Sequence, residues 1–250
     1  MSNYMNEMRP QDIVNGKFKK VIFGVGSTEN HGDHMPIGTD NLIAHGLAKR
    51  IADAFDDILL LPAIPYSFST YHQDFPFTLY VQAETITQYL EDLLDAIVFR
   101  GIKQIIIING HDGNIAPIEI AGRYCKMKYP DVSILSLPVW WGTMDKILPE
   151  GTFSDFAHGH GGEAETSLMM AFRPDLVDLK LAKPMIPKLE EDLVMEMKVN
   201  FSEFSTIGST GHPELATPEK AKMLADTLVK YAVNYITYLN GIDWKYAVEK

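Results

Sequence analysis

Residues 104–114 read Gln-Ile-Ile-Ile-Ile-Asn-Gly-His-Asp-Gly-Asn. The four consecutive isoleucines leave no wet side, so they fit a strand covered on both faces, the pattern of a central strand in a parallel sheet. A strand of that kind needs a crossover helix on each side of it in sequence. Downstream, residues 114–129 read as a helix and 132–137 as the next strand. Upstream, residues 85–100 carry Ile86, Leu90, Leu93, Leu94 and Ile97 on one stripe and end at Gly101, a helix with its stop signal. Earlier still, residues 21–25 read as a strand. A helix follows from Asp40 or Asn41, either a good N-cap, to Phe55, and a strand over 58–61 is stopped by Pro62. Beyond the central region, helices are expected over 163–172 and 218–239, while 173–213 mixes prolines, lysines and short apolar pieces and reads as partly loop. This alternation predicts an α/β three-layer sandwich with a mostly parallel central sheet.

The composition sets bounds on partners. With 250 residues, one domain over the whole chain is the expectation. Hydrophobic residues at 46% and charged residues at 22% are ordinary for a soluble globular protein. A net charge of −11 argues against a nucleic-acid surface. No apolar run approaches the roughly 18 residues of a membrane span, and the polar residues 1–9 lack the apolar stretch of a signal peptide, so a cytoplasmic enzyme with no membrane partner is expected. The single cysteine, Cys125, excludes a disulfide framework and a cysteine-type zinc site and reads as a structural thiol in a helix.

Three clusters carry chemistry, each next to the end of an expected strand or in the later glycine-rich stretch. Residues 29–40 read Glu-Asn-His-Gly-Asp-His-Met-Pro-Ile-Gly-Thr-Asp, and Glu29, His31 and Asp40 are of the types that hold Zn²⁺, Mn²⁺ or Fe²⁺. The second cluster is Asn109-Gly110-His111-Asp112-Gly113-Asn114, and the third is His158-Gly159-His160-Gly161-Gly162-Glu163-Ala164-Glu165-Thr166. Strand carboxyl ends in open α/β sheets gather ligands, so the three segments can converge on one crevice. Each residue alone also has a plainer reading. Glu29 can cap a helix, Asp40 can be the N-cap of the next one, and His31 and His34 can be ordinary loop histidines, but a loop needs neither two histidines nor two flanking acids to turn. His72 lies in a loop from which it can touch substrate, and Trp141, next to Trp140, can form an aromatic wall or pack at a strand end.

In order along the chain these motifs resemble the creatininase (creatinine amidohydrolase) family. The carriers are residues 26–40, Asn109-Gly110-His111 with Asn114, His160-Gly161-Gly162-Glu163 with Glu165-Thr166-Ser167, and Gly211-His212-Pro213 with residues 216–220. The resemblance implies a flavodoxin-like fold, a site for two divalent metal ions (zinc first, manganese or iron otherwise), and a homo-oligomer, a hexamer in the family. By matching position it makes Glu29, His31, Asp40 and His111 metal ligands, with Asp40 bridging. Three departures stand out. Gly113 replaces a ligating glutamate, so Glu163 is expected to supply the missing carboxylate, with Glu165 as the weaker alternative or as a support for a neighbouring histidine. Asp112 replaces an aromatic residue, which suits a more polar substrate than creatinine. Phe77 stands where glycine is usual in a Phe-Pro-Gly-Thr segment.

The expected reaction is amide hydrolysis in a small cyclic amide or related compound. Two ions about 3.5–4 Å apart share a hydroxide that attacks the carbonyl carbon. His160 is the expected proton shuttle and, with Glu163, the catalytic pair, since imidazole titrates near working pH. Asp112, His72 and Trp141 are the expected substrate contacts. The backbone N–H groups of Gly161 and Gly162 are candidates for holding the oxyanion. The family also implies alternatives: deformylation of a formylamino-pyrimidine nucleotide, hydrolysis of a carbon–carbon bond in a diketo-inositol, and cleavage of a small peptide.

Overall fold

Four strands form one sheet: β1 (Lys20–Val25), β2 (Ile58–Leu60), β3 (Gln104–Asn109) and β4 (Ser133–Leu137). The structure is a computed structural model and describes residues 3–188 and 198–246. The strand order is β2-β1-β3-β4 and every pairing is parallel, with Ile22 opposite Ile106 and Val25 opposite Asn109. β3 is therefore interior, as its isoleucine run requires. The strand order reverses between β1 and β3, which makes the carboxyl ends of these two strands the switch point where open α/β sheets bind ligands.

Side chains alternate across the sheet and build two cores. Ile22, Ile106 and Ile108 point to one face and meet helices α2 (Thr39–Ala52), α6 (Glu163–Phe172) and α7 (Pro218–Gly241) through residues such as Ile43, Leu47, Leu168, Leu224 and Leu228. Val21, Phe23, Val25, Ile105 and Ile107 point to the other face. There they meet α3 (Ala83–Phe99) and α4 (Ile115–Lys128) through Ile86, Leu90, Leu94, Ile97, Ile118 and Ala121. Cys125 is buried in this second core and behaves as the small apolar side chain expected of it.

The boundaries differ where local chemistry outweighs pattern. A short helix, α1 (Pro10–Gly16), begins at a proline and buries no residue, so it has no apolar stripe to announce it. A one-turn helix, α5 (Met144–Ile147), lies in the long connection after β4. Between 173 and 213 the described residues hold 3₁₀ turns at Pro174–Leu176, Phe201–Glu203 and Pro213–Leu215 and one β-bridge, Met185 with Gly211, close to the expected loop; residues 189–197 of that stretch lie outside the described residues. Phe77 has φ +59°, so this family-glycine position keeps its left-handed backbone while carrying an exposed ring.

The start of α2 matters most for the site. The helix opens at Thr39 with Gly38 as its N-cap, so Asp40 is already inside the first turn and its carboxylate is not used as a cap. α2 sits tightly against the end of β1: a side chain at Gly26 would place its Cβ 2.4 Å from the backbone nitrogen of Asn41. That close approach hangs Asp40 directly over the switch point.

Candidate metal centre

Two carboxylates are driven into the interior beside four imidazoles. Glu29 follows β1 in a loop closed by its own N–H donating to the Ile37 carbonyl at 3.0 Å. Its carboxylate is fully buried. Oε2 accepts from the Ser69 hydroxyl. Oε1 has no hydrogen-bond partner, although Nδ1 of His111 lies 3.2 Å away, Nε2 of His72 3.6 Å and Nδ1 of His160 3.7 Å. Asp40 turns its two oxygens in different directions. Oδ1 lies 2.8 Å from Nε2 of His31, while Oδ2 accepts from the Ser27 hydroxyl at 2.8 Å and lies 3.3 Å from Nδ1 of His111.

Three of the rings are fixed from behind by backbone carbonyls. Nδ1 of His31 meets the Glu29 carbonyl at 3.1 Å, Nε2 of His111 the Phe68 carbonyl at 2.9 Å, and Nε2 of His160 the Asn30 carbonyl at 2.7 Å. A carbonyl only accepts, so in each ring the proton sits on the outer nitrogen and the inner nitrogen is left to serve the cluster. This is the arrangement that orients metal-binding imidazoles.

The electrostatics separate the rings into two kinds. Burial works against charge on Glu29, but His111 and His72 outweigh it and hold the carboxyl well below its ordinary value. Burial likewise opposes charge on Asp40, and His31 above all brings it down to about 2. Burial also opposes a charged His31 and a charged His111. Asp40 and Glu165 overcome it for His31 and Glu29 and Asp40 for His111, raising both rings well above the usual imidazole range. His72 and His160 go the other way. Burial and then a neighbouring imidazole push His72 down to about 2 and lower His160, so both stay neutral.

A cation fits this arrangement. Anionic oxygens and imidazole nitrogens facing one another need a positive charge between them, and protons on His31 and His111 supply it only in part, since Glu29 Oε1 still lacks a hydrogen bond. The donors are oxygen and nitrogen only, which suits zinc, manganese or iron. Three overlapping groups have ligand atoms within 4.8 Å of one another: Glu29, His31 and Asp40; Glu29, His72 and His160; and His31, His160 and Glu165.

The last group corrects one expectation. Glu163 is buried but lies away from the cluster. Its Oε2 accepts from the Ser154 N–H at 2.9 Å and its Oε1 pairs with the Lys220 ammonium. Glu165 is the carboxylate that arrives: Oε1 lies 3.6 Å from Nε2 of His31 and Oε2 accepts from the Gly161 N–H at 2.7 Å. The cause is helical geometry. α6 starts at Glu163, and two residues along a helix turn through about 200°, so if one carboxylate faces α7 the other faces the opposite way. The glycine amides are also taken. Gly161 N–H serves Glu165, and Gly162 N–H donates to the Gly159 carbonyl at 2.8 Å, so neither is left to hold an oxyanion.

A carboxylate cannot come from position 113 in this backbone. A Cβ there would lie 2.0 Å from the Phe68 carbonyl oxygen and 2.6 Å from Nε2 of His111. The space beside the second-motif histidine is filled by the carbonyl that holds that histidine in place.

Around the cluster is a cavity of about 550 Å³, lined among others by Glu29, Asp40, His72, His111, His160 and Glu165. Asp112 and Trp141 also line it, with Trp140 buried edge-on to Trp141 at 5.5 Å. His158 stands at the exposed rim, paired with Asp145 at 2.7 Å. His34 lies outside: its Nε2 meets the Gly161 carbonyl and the Thr166 hydroxyl, so it braces the third-motif loop. His72 lines the cavity too, and a 3₁₀ turn over Thr70–His72 carries its ring to 4.1 Å from His160, a contact the sequence did not suggest.

Comparison with known proteins gives a consistent family. Residues 6–236 match the family model Creatininase, described as creatinine amidohydrolase. A creatinine amidohydrolase from Pseudomonas putida is 31% identical over 64% of this chain; the match spans 66% of that protein, just under two thirds of its length. A mycofactocin precursor peptide peptidase from Mycolicibacterium smegmatis is 26% identical over 84% of this chain and 81% of its own. A 3-dehydro-scyllo-inosose hydrolase from Thermotoga maritima is 27% identical over 84% and 74%. Among solved structures, a manganese form of creatininase superposes with a TM-score of 0.80 at 24% identity, covering 94% of this chain and 98% of that one. A zinc–zinc form of a mutant creatininase gives the same score.

Proposed function

The chain belongs to the creatininase family of hydrolases, and from that premise we propose that it cleaves a C–N bond in a small amide at a site for two divalent ions. The observation that carries this reading is Asp40, whose two buried oxygens face two different imidazoles, His31 and His111, beside the unpartnered Oε1 of Glu29. We assign Glu29, Asp40 and His111 to one ion and His31, Asp40 and Glu165 to the other. Bound there, such ions lower the pKa of water toward neutrality and polarise a carbonyl oxygen. Zinc suits these donors first and manganese or iron next; creatininase structures with zinc and with manganese support a divalent ion of this kind.

The protein's own groups do the rest. His160 is neutral, anchored at Nε2 on the Asn30 carbonyl, and faces the cavity with Nδ1, so it can take a proton there and deliver it to the leaving nitrogen. Asp112, His72 and Trp141 line the space for the rest of the substrate. A nucleotide substrate has less support, because among the described lining residues Lys198 is the one lysine or arginine. The inosose hydrolase and peptidase among the relatives keep carbon–carbon and peptide substrates as the second reading.

Elemental analysis of the purified protein, followed by a screen of cyclic amides, formamides, dipeptides and cyclic diketones, tests this reading. About two divalent ions per chain are expected, with hydrolysis lost to a chelator and restored by zinc or manganese. A protein that binds none of these ions, or that hydrolyses an amide equally well after chelation, overturns it. His160→Ala is expected to keep its metal and lose about 10²–10⁴-fold in kcat. Turnover within a factor of three of wild type removes His160 from the proton transfer.

A further inference from the structure

A second cavity of about 340 Å³ opens beside the first and shares Tyr71, His158, His160 and Phe204 with it. Its character differs. Glu29, Asp40 and Glu165 do not reach it; beside Asp155 and Thr210 its wall is mostly rings, those of Tyr71, Phe156, Phe201 and Phe204, with Pro187. The aromatic wall is fastened to the metal centre: Phe201 is buried, with its ring centroid 4.9 Å from His160 and 4.5 Å from His72. Tyr71 in turn lies 5.6 Å from Phe201. The side chain expected to move the proton therefore forms the partition between a polar chamber and an apolar one.

We infer that the substrate is an amide bearing an aryl or branched alkyl group, with its carbonyl at the carboxylate–imidazole cluster and that group in the aromatic chamber past His160. This inference rests on the reading of the site as an amide hydrolase centre and adds the substrate class. Chambers of about 300–1,000 Å³ suit ligands of drug-like size, and a lone small ring such as a cyclic amide would leave the second one unused. Aromatic rings on several sides offer edge-to-face contacts to an aryl group and only dispersion to an alkyl group. An N-acylated aromatic amino acid or a dipeptide with an aromatic residue at the scissile bond meets this description.

Calorimetry on the zinc-loaded protein tests the assignment without turnover. The probes are acetohydroxamate and 3-phenylpropanohydroxamate, which share a metal-binding head and differ by the aryl arm. The arylated probe is expected to bind at least tenfold more tightly, the scale set by burying a phenyl group. Phe156→Ala, which changes the second chamber alone, is expected to bring the ratio of the two Kd values toward one, and Phe204→Leu to reduce it in part. Equal Kd values in the wild-type protein, or an unchanged ratio in Phe156→Ala, overturn the inference. If acetohydroxamate itself does not bind, the metal-centre reading fails separately. The chamber is then judged by saturation-transfer NMR with 3-phenylpropanamide, which needs no metal. Transfer to the ring that is lost in Phe156→Ala supports it, and no transfer, or transfer equal in the two proteins, overturns it.

Discussion

Asp40→Ala is expected to purify as a folded protein with almost no bound metal and with amide hydrolysis reduced by about a thousandfold or more, since several kcal/mol of transition-state stabilisation leave with the ions. The size of the effect follows from position. Asp40 is the residue through which the His31 side and the His111 side of the cluster touch, one oxygen to each. Losing Glu29 leaves His31, Asp40 and Glu165 together; losing Asp40 leaves neither side with its shared ligand. The Ser27 hydroxyl that donates to Oδ2 is also left without its acceptor. Elemental analysis beside a circular-dichroism check of folding decides the matter. A variant that retains two ions per chain shows that Asp40 does not bridge them.

The second large expectation concerns the two glutamates of α6, which are two residues apart and have opposite duties. Glu165→Gln is expected to drop the metal content from about two ions to about one, with the weaker ion losing more than about 100-fold in affinity. Its folding stability is expected to change little. Glu163→Gln should do the reverse. Its carboxylate is fully buried against the Lys220 ammonium, which is itself partly exposed and keeps the Leu215 carbonyl, so losing the pair is expected to cost about 1–2 kcal/mol. Urea unfolding of both variants, each with its metal content measured, separates the roles. If Glu163→Gln lost an ion and kept its stability, the assignment of the two carboxylates would have to be exchanged.

These contrasts show where sequence and structure part company. The sheet was legible because β3 is an unbroken run of isoleucine and because Ile86, Leu90, Leu94 and Ile97 repeat at helical spacing. Glu29, His31, Asp40 and His111 were legible as one group because strand ends of a parallel sheet gather ligands: Glu29 and His31 lie in the loop after β1, Asp40 in the first turn of the helix that follows it, and His111 just after β3. The choice between Glu163 and Glu165 was not legible. The helix was expected over 163–172 and starts there, but its pattern does not say which of two residues about 200° apart faces the cluster; the partner that takes Glu163 is Lys220, 57 positions on. His72 was obscure for another reason. Its place is set by packing against Phe201, more than a hundred positions away in sequence, and no local pattern encodes that contact. Lys220 offered a usable signal, as a cation in the first turn of α7 with no acid three or four positions away in sequence.

The Phe68 carbonyl that fills the space over Gly113 makes the layout of this centre one-way. An ancestral or engineered glutamate at 113 would collide with the oxygen that keeps His111 in register, so Gly113→Glu would injure an existing ligand while adding a new one. The turn after β3 is closed so tightly over His111 that an acid can approach the cluster from α6 but has no room to enter from position 113.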